Sequence, residues 1–145
     1  WKGWSEAVFM VQKEVADRMS AKPHSKIYGL LTVSVQSRCT VKKLFAVSKH
    51  CFSPKPEVES CVIRFDPLAE PLFSGKEEKS FFEVVRGCFA HRRKTVLNSL
   101  KQSLHLPSET LRKALESCAI SPESRAETLS LPDFKKLSDA ITALT

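Results

Sequence analysis

The chain has 145 residues, 42% of them hydrophobic and 27% charged, enough apolar material for one domain or two small ones and too much for a chain disordered throughout. Lysine and arginine outnumber aspartate and glutamate by 23 to 16, a formal net charge of +7, so an anionic partner is the first expectation, nucleic acid before membrane. Five scattered cysteines (Cys39, Cys51, Cys61, Cys88, Cys118) without a CxxC, and four histidines without HxH or HExxH, argue against a disulfide framework and a zinc site and for reduced thiols.

The opening residues, "WKGWSEAVFM", lack the basic, apolar and small-residue order of a signal peptide, and no run of about 18 apolar residues follows anywhere. A soluble, intracellular protein is expected. Glu6 to Gln12 is a short apolar run rich in β-formers and reads as a strand buried on both faces of a sheet. "KEVADRMS" then reads as helix. Pro23, Ser25 and Gly29 mark a loop, and "LLTVSVQS" is ambiguous between helix and strand. "CTVKKLFAVS" reads as a strand. In "VESCVIRF", Val58, Ser60, Val62 and Arg64 alternate with Glu59, Cys61, Ile63 and Phe65, a third strand.

Asp66 to Gly75, "DPLAEPLFSG", reads as a linker, and the pattern beyond it is helical. Phe81, Val84, Val85, Cys88 and Phe89 form one apolar stripe at i, i+3, i+4, i+7 and i+8. Ser108 reads as the N-cap of a helix carrying Leu111, Ala114, Leu115 and Cys118. Ser121 with Pro122 reads as the start of another. "SLPD", Ser130 to Asp133, has the form of a capping box, with Phe134, Leu137, Ile141 and Leu144 on one face beyond it.

The fold class expected is α/β: the C-terminal part of a Rossmann-like sheet over residues 1–67, a linker over 68–76, and a small all-helical domain over 77–145. Three strands with about two helices close a sheet poorly and leave an edge and a face uncovered. The first module therefore reads as part of a larger domain.

Three constellations could carry chemistry. In "FAHRRKTVLNSL", Phe89 to Leu100, the apolar stripe is interrupted at Arg92 and Arg93. Either the helix breaks and restarts near Lys94, leaving the arginines on a turn, or it continues and points two guanidiniums into a groove. Arg86, Arg92, Arg93, Lys94, Lys101, Arg112 and Lys113 share this region with Glu109 as the only acid, and a shared basic face is the footprint of phosphate binding. The alternative is a solvated helix end that complements the helix dipole. In "CFSPKPEVES", two prolines at alternate positions fix an extended loop that starts with Phe52, either a stacking platform for a nucleobase or a packed loop residue. In "VQKEVADR", Gln12, Lys13, Glu14 and Arg18 follow a strand, where an α/β sheet presents polar residues to its ligand crevice, or where a helix simply exposes its first turn.

Taken in order, "FMVQKEVADRM", "FSPKPEVESCVIRF", "FAHRRKTVLNSL" and "RAETLSLPDFKKL" resemble the C-terminal half of the ribosomal RNA adenine dimethyltransferases, most of all the bacterial small-subunit branch, from about Glu6 to Leu144. The resemblance implies a Rossmann-like methyltransferase using S-adenosylmethionine, followed by a helical domain that grips ribosomal RNA. It implies dimethylation of the exocyclic amines of two adjacent adenines near the 3′ end of small-subunit RNA, with each base out of its stack. Phe52 matches the aromatic beside the target base. Arg92, Arg93 and Lys94 match a run suited to RNA contact, with Lys13, Arg18 and Lys101 as further candidates. The partner implied is small-subunit ribosomal RNA or the immature subunit, with no membrane and no metal. The compartment would be the bacterial cytoplasm or an organelle. The oligomeric state is left open, with a monomer expected at full length.

Departures from the family pattern are specific. Three consecutive prolines and Lys-Val-Asp-Ser become Pro54, Lys55, Pro56, Glu57, Val58, Glu59, Ser60; Tyr-Gly-Arg-Leu becomes Tyr28, Gly29, Leu30, Leu31; and His91 stands where glutamine is common. Gly3, Gly29, Gly75 and Gly87 never form Gly-x-Gly, and Asn98 is the one asparagine, so neither the cofactor loop nor the Asn-x-Pro-aromatic catalytic loop is present. Both are expected upstream of Trp1. The chain is then a fragment that lacks the cofactor site and is inactive alone. The alternatives are a self-sufficient RNA-binding or ribosome-assembly module, and a large-subunit methylase of the antibiotic-resistance type.

Overall fold

The computed structural model describes residues 4–70 and 72–145. Residues 1–3 of the expected first module and Pro71 of the expected linker lie outside them. Ala7–Gln12 forms β1 and runs without an intervening residue into α1, Lys13–Met19. Residues 20–29 loop to α2, Leu30–Gln36, which resolves the ambiguous stretch as helix. Its Thr32 hydroxyl accepts the Gly29 amide and donates to the Arg18 carbonyl at 2.6 Å, and Gln36 donates to the carbonyls of Met19 and Ala21. Side chains rather than propensity therefore fix α2 against the end of α1. β2 (Cys39–Val47) and β3 (Ser60–Pro67) complete a sheet of order β1-β3-β2, antiparallel at both pairings.

The register explains which side chains the sheet hides. Val11, Cys61 and Ala46 are cross-strand partners, as are Phe9, Ile63 and Lys43, so these share the face that α1 covers with Ala16. A register shift leaves Leu44 as the extra residue of a bulge and brings Phe45 opposite Val62, on the other face with Met10. That face has no apolar cover among the described residues: Met10 is 53% exposed and Phe45 59%. The expectation that β1 is buried on both faces is therefore wrong, since Val8, Phe9 and Met10 are all more than half exposed. Among the described residues β1 is an edge strand paired only with β3, and an apolar run reads as buried whether or not a partner is present.

The helices follow. α3 spans Gly75–Phe89, with the Glu77 carboxylate accepting the Ser74 amide at 2.7 Å; α4 is Val96–Leu104, α5 Ser108–Ser117 and α6 Leu131–Leu144. The stripe Phe81, Val84, Val85 and Cys88 is buried and Phe89 packs against the same core, which includes Val96, Leu97, Leu100, Leu111, Leu115, Phe134, Leu137 and Ile141. Burial pushes the Cys88 thiol pKa up. The Ser130 hydroxyl accepts the Asp133 amide while the Asp133 carboxylate accepts the Ser130 amide, the expected capping box.

Three local expectations need correction. Ser108 is the first residue of α5 and Pro107 its cap, because the proline's fixed φ already suits the cap position. Ser121 and Pro122 form a turn, not a helix: the Ser121 hydroxyl accepts the Glu123 amide and the Ser124 carbonyl accepts the Val96 amide of α4, which draws the chain away from helical geometry until a 3-10 turn at Ala126–Thr128. Leu144, at the end of α6, is half exposed.

The main core does not stop at residues 68–76. Ala21, Tyr28 and Val33 are buried in it beside the helical residues, and the Tyr28 ring lies 6.2 Å from that of Phe89. Arg38 ties the same boundary from its outer side. Its guanidinium lies over the Phe82 ring, 4.5 Å from the centroid, donates to the Ser34 carbonyl at 2.9 Å and pairs with Glu78 of α3.

Tyr28 gives this boundary a pH dependence. Burial, with the Asp133 charge as a second cause, pushes its pKa up to about 12 from an ordinary value of 10.0. The fold accommodates the neutral phenol, so this contribution is fully present below pH 10 and is lost as pH rises through about 12. The Tyr28 hydroxyl is buried with no hydrogen-bond partner among the described residues. Tyr28→Phe is expected to flatten the loss of stability between those pH values in urea titrations, and to leave neutral-pH stability unchanged or raised by about 1 kcal/mol. An alkaline limb identical to wild type would refute it.

Candidate nucleic-acid interface

Between the alternatives for "FAHRRKTVLNSL", the structure has the break. α3 ends at Phe89 and α4 begins at Val96, with residues 90–95 as a turn between them. Local chemistry dictates the break. The Thr95 hydroxyl caps α4 by accepting the Asn98 amide, and the Lys94 amide closes back on the His91 carbonyl at 2.8 Å. Beneath the turn, the fully buried Ser99 hydroxyl donates to the Gly87 carbonyl at 2.7 Å and accepts the His91 amide at 3.2 Å. Helices α3 and α4 can approach this closely because position 87 has no side chain: a Cβ there would meet Leu100 Cδ2 at 3.2 Å and Ser103 Cβ at 3.5 Å.

The turn exposes Arg92, Arg93 and Lys94. Arg92 donates to the Lys26 carbonyl, and its Nε lies 3.7 Å from Glu127 Oε2. No ion pair or side-chain hydrogen bond engages Arg93 or Lys94 among the described residues. The loop carrying Lys22 and Lys26 is tied to the same place a second time, since the His24 amide donates to the Glu127 carbonyl at 2.7 Å. The Ser124 carbonyl holds the Val96 amide, so Arg125 lies close by. Lys22, Lys26 and Arg125, all exposed, thus join the turn. Sequence reading passed over them because single charges on loops carry no periodicity.

The other candidates divide. Lys101 is exposed on α4, and Lys113 pairs with Glu109 of its own helix at 3.7 Å. Lys13 is engaged: its Nζ lies 3.1 Å from Glu59 Oε2 and its amide donates to the Glu59 carbonyl at 2.9 Å. The hydrogen bond and charge of Glu59 hold the Lys13 pKa above its ordinary value. Arg18 is exposed near the end of α1. Gln12, Lys13 and Glu14 line a surface groove of about 400 Å³ at the carboxyl end of β1, with Asp17, Ile27, Val58 and Glu59; Arg18 is not among its walls. Phe52 follows a 3-10 turn at Lys49–Cys51 and precedes a cis Ser53–Pro54 bond. It is half-buried and belongs to neither buried core cluster.

Ile27 lines the groove while the neighbouring Lys26 carbonyl receives Arg92. Groove, loop and basic turn are therefore contiguous. S-adenosylmethionine does not fit this groove: β1 enters α1 with no glycine-rich turn, and Lys13 and Glu59 are joined across the strand's end. No helix among the described residues is long and apolar enough to cross a membrane.

The family described as Ribosomal RNA adenine dimethylase matches residues 2–143, and the chain belongs to that family. Proteins named Ribosomal RNA small subunit methyltransferase A from Clostridium botulinum and Clostridium acetobutylicum are each 51% identical over 132 residues, which is 91% of this chain and 48% of theirs. The chain therefore spans about half the length of these relatives. A crystal structure of a dimethyladenosine transferase from Plasmodium falciparum superposes with TM-score 0.76 at 29% identity, covering 92% of this chain and 56% of that one. The 23S rRNA methyltransferase ErmE superposes with TM-score 0.65 at 21% identity over 95% of this chain and 55% of its own, a likeness of fold. The fold is thus α/β, the C-terminal part of a Rossmann-like methyltransferase sheet followed by a small helical domain.

The buried hydroxyl beneath the turn supplies a direct test. Ser99→Ala leaves the Gly87 carbonyl and His91 amide without their shared partner and is expected to cost about 1–3 kcal/mol in chemical denaturation. A loss below about 0.5 kcal/mol would mean that the helix crossing holds the turn without it.

Proposed function

We propose that the chain is the RNA-recognition portion of an S-adenosylmethionine-dependent ribosomal RNA adenine N6,N6-dimethyltransferase. Its substrate is small-subunit ribosomal RNA, with two adjacent adenines near the 3′ end as the targets. The cofactor is held by a further part of the enzyme, and residues 1–67, 68–76 and 77–145 serve as sheet module, linker and recognition domain. The observation that carries the reading is the preformed turn at residues 90–95, which exposes Arg93 and Lys94, unpaired among the described residues, against the loop that carries Lys22 and Lys26. A phosphate backbone is the ligand such a surface fits, since fixed guanidinium and ammonium groups displace its counterions.

The sheet supports the same reading. Lys42 and Lys43 guard the outer edge at β2, whereas β1 runs from Ala7 to Gln12 without a charge and leaves an apolar edge for further strands. The small-subunit substrate is favoured over the large-subunit one by the names of relatives about half identical to this chain. Phe52, at the loop beside the groove, is the residue assigned to the unstacked base. Methylation mapping on small-subunit RNA with the full-length protein tests the assignment, and modification of large-subunit RNA instead would overturn it.

Three substitutions test the two surfaces separately. Arg93→Ala and Lys94→Ala are each expected to flatten the log–log salt dependence of RNA binding by about 0.7–0.9, one phosphate contact apiece. Unchanged slopes would return both residues to a solvated turn. Phe52→Ala in the full-length protein is expected to cost about 1–3 kcal/mol of transition-state stabilisation, read as kcat/KM, with little change in melting temperature. Wild-type turnover would leave Phe52 a packing residue.

A further inference from the structure

We propose that the adjacent arginines of the basic turn have different jobs: Arg92 is an internal clasp that holds the loop of residues 22–28 against the turn, and Arg93 with Lys94 is offered to phosphate. The division rests on reading the turn as a phosphate-facing surface. Arg92 donates from Nη2 to the Lys26 carbonyl, and its Nε lies 3.7 Å from the Glu127 carboxylate. Glu127 in turn receives the His24 amide on its backbone carbonyl at 2.7 Å. Three segments distant in sequence thus meet at one guanidinium. A planar fork can address a carbonyl and a carboxylate together, which the single ammonium of a lysine cannot do in the same geometry.

The consequence concerns cations that sequence reading passed over. Lys22 and Lys26 ride on this loop, whose other backbone contacts within 22–28 are local, from the Ser25 amide to the Lys22 carbonyl and from the Tyr28 amide to the Ser25 carbonyl. With the clasp in place the loop that carries both lysines is held against the turn. Without it their charges are spread over a looser loop. Glu127 would otherwise oppose an anionic ligand, and Arg92 offsets its charge.

The clasp is half-exposed, with the Arg92 side chain 62% and the Glu127 side chain 30% accessible, so its loss should change local opening by a modest factor. The test measures exchange of the His24 amide, and binding of a short RNA hairpin across a salt series, in the full-length protein. Arg92→Lys and Glu127→Gln are expected to speed His24 exchange by about fivefold, and Arg92→Lys is expected to weaken hairpin binding although it removes no positive charge. Arg93→Lys is expected to preserve both, and Arg93→Ala to flatten the salt slope with His24 exchange unchanged. Unchanged His24 exchange in both Arg92→Lys and Glu127→Gln would overturn the clasp, whatever the salt slopes show. Unchanged slopes in Arg93→Ala and Lys94→Ala would instead defeat the phosphate-facing reading, and the His24 result would still judge the clasp on its own.

Discussion

The close crossing of α3 and α4 at Gly87 is the constraint on which the geometry of the basic turn depends. With no side chain at 87, the Leu100 side chain packs within 3.2 Å of where a Cβ would stand, and the Ser99 hydroxyl reaches the Gly87 carbonyl at 2.7 Å. The same hydroxyl accepts the His91 amide, so helix packing and turn geometry are set by one buried atom. A turn held from below in this way does not have to order itself on binding. Its cations meet a ligand with little further loss of backbone entropy.

The sheet is governed by the opposite condition, an absence of cover among the described residues. Ile63 and Cys61 are buried because α1 lies over them, yet Met10 and Phe45 on the other face are open to solvent. The bulge at Leu44 is responsible for half of this. Without it Phe45 would follow Val41 and Lys43 onto the face that α1 covers; with it, Phe45 joins Met10 and Val62. The bulge therefore builds an apolar stripe across the open face, an arrangement that suits a larger domain better than a free-standing sheet.

Much of this was legible wherever a side chain's environment is set by near neighbours. The stripe from Phe81 to Cys88, the alternation of Cys61 and Ile63 and the capping box at Ser130 are all periodic or local signals. The basic turn was half legible, since the interruption at Arg92 and Arg93 showed as a break or a groove, and only the Thr95 cap and Ser99 decide between them. What could not be read was set at a distance. The exposure of Val8 to Met10 depends on which strand lies alongside. The turn at Ser121 yields to the contact between Ser124 and Val96. The contact from Arg92 to Lys26 spans 66 residues and involves a backbone carbonyl that no residue pattern encodes.

The magnitudes separate what holds the sheet to the helices from what orients them. Burying Val33 and Tyr28 in the helical core contributes about 1.5–3 kcal/mol per side chain. The Arg38 contacts with Phe82 and Glu78 are partly exposed, and each is worth about 0.5–1 kcal/mol. Burial therefore supplies the adhesion. Apolar contact is non-directional, however, and would tolerate a rotation of α3 against α2. Arg38 is directional: its guanidinium must at once face the Phe82 ring, the Ser34 carbonyl and the Glu78 carboxylate. A small interaction energy thus fixes the angle at which α3 meets α2.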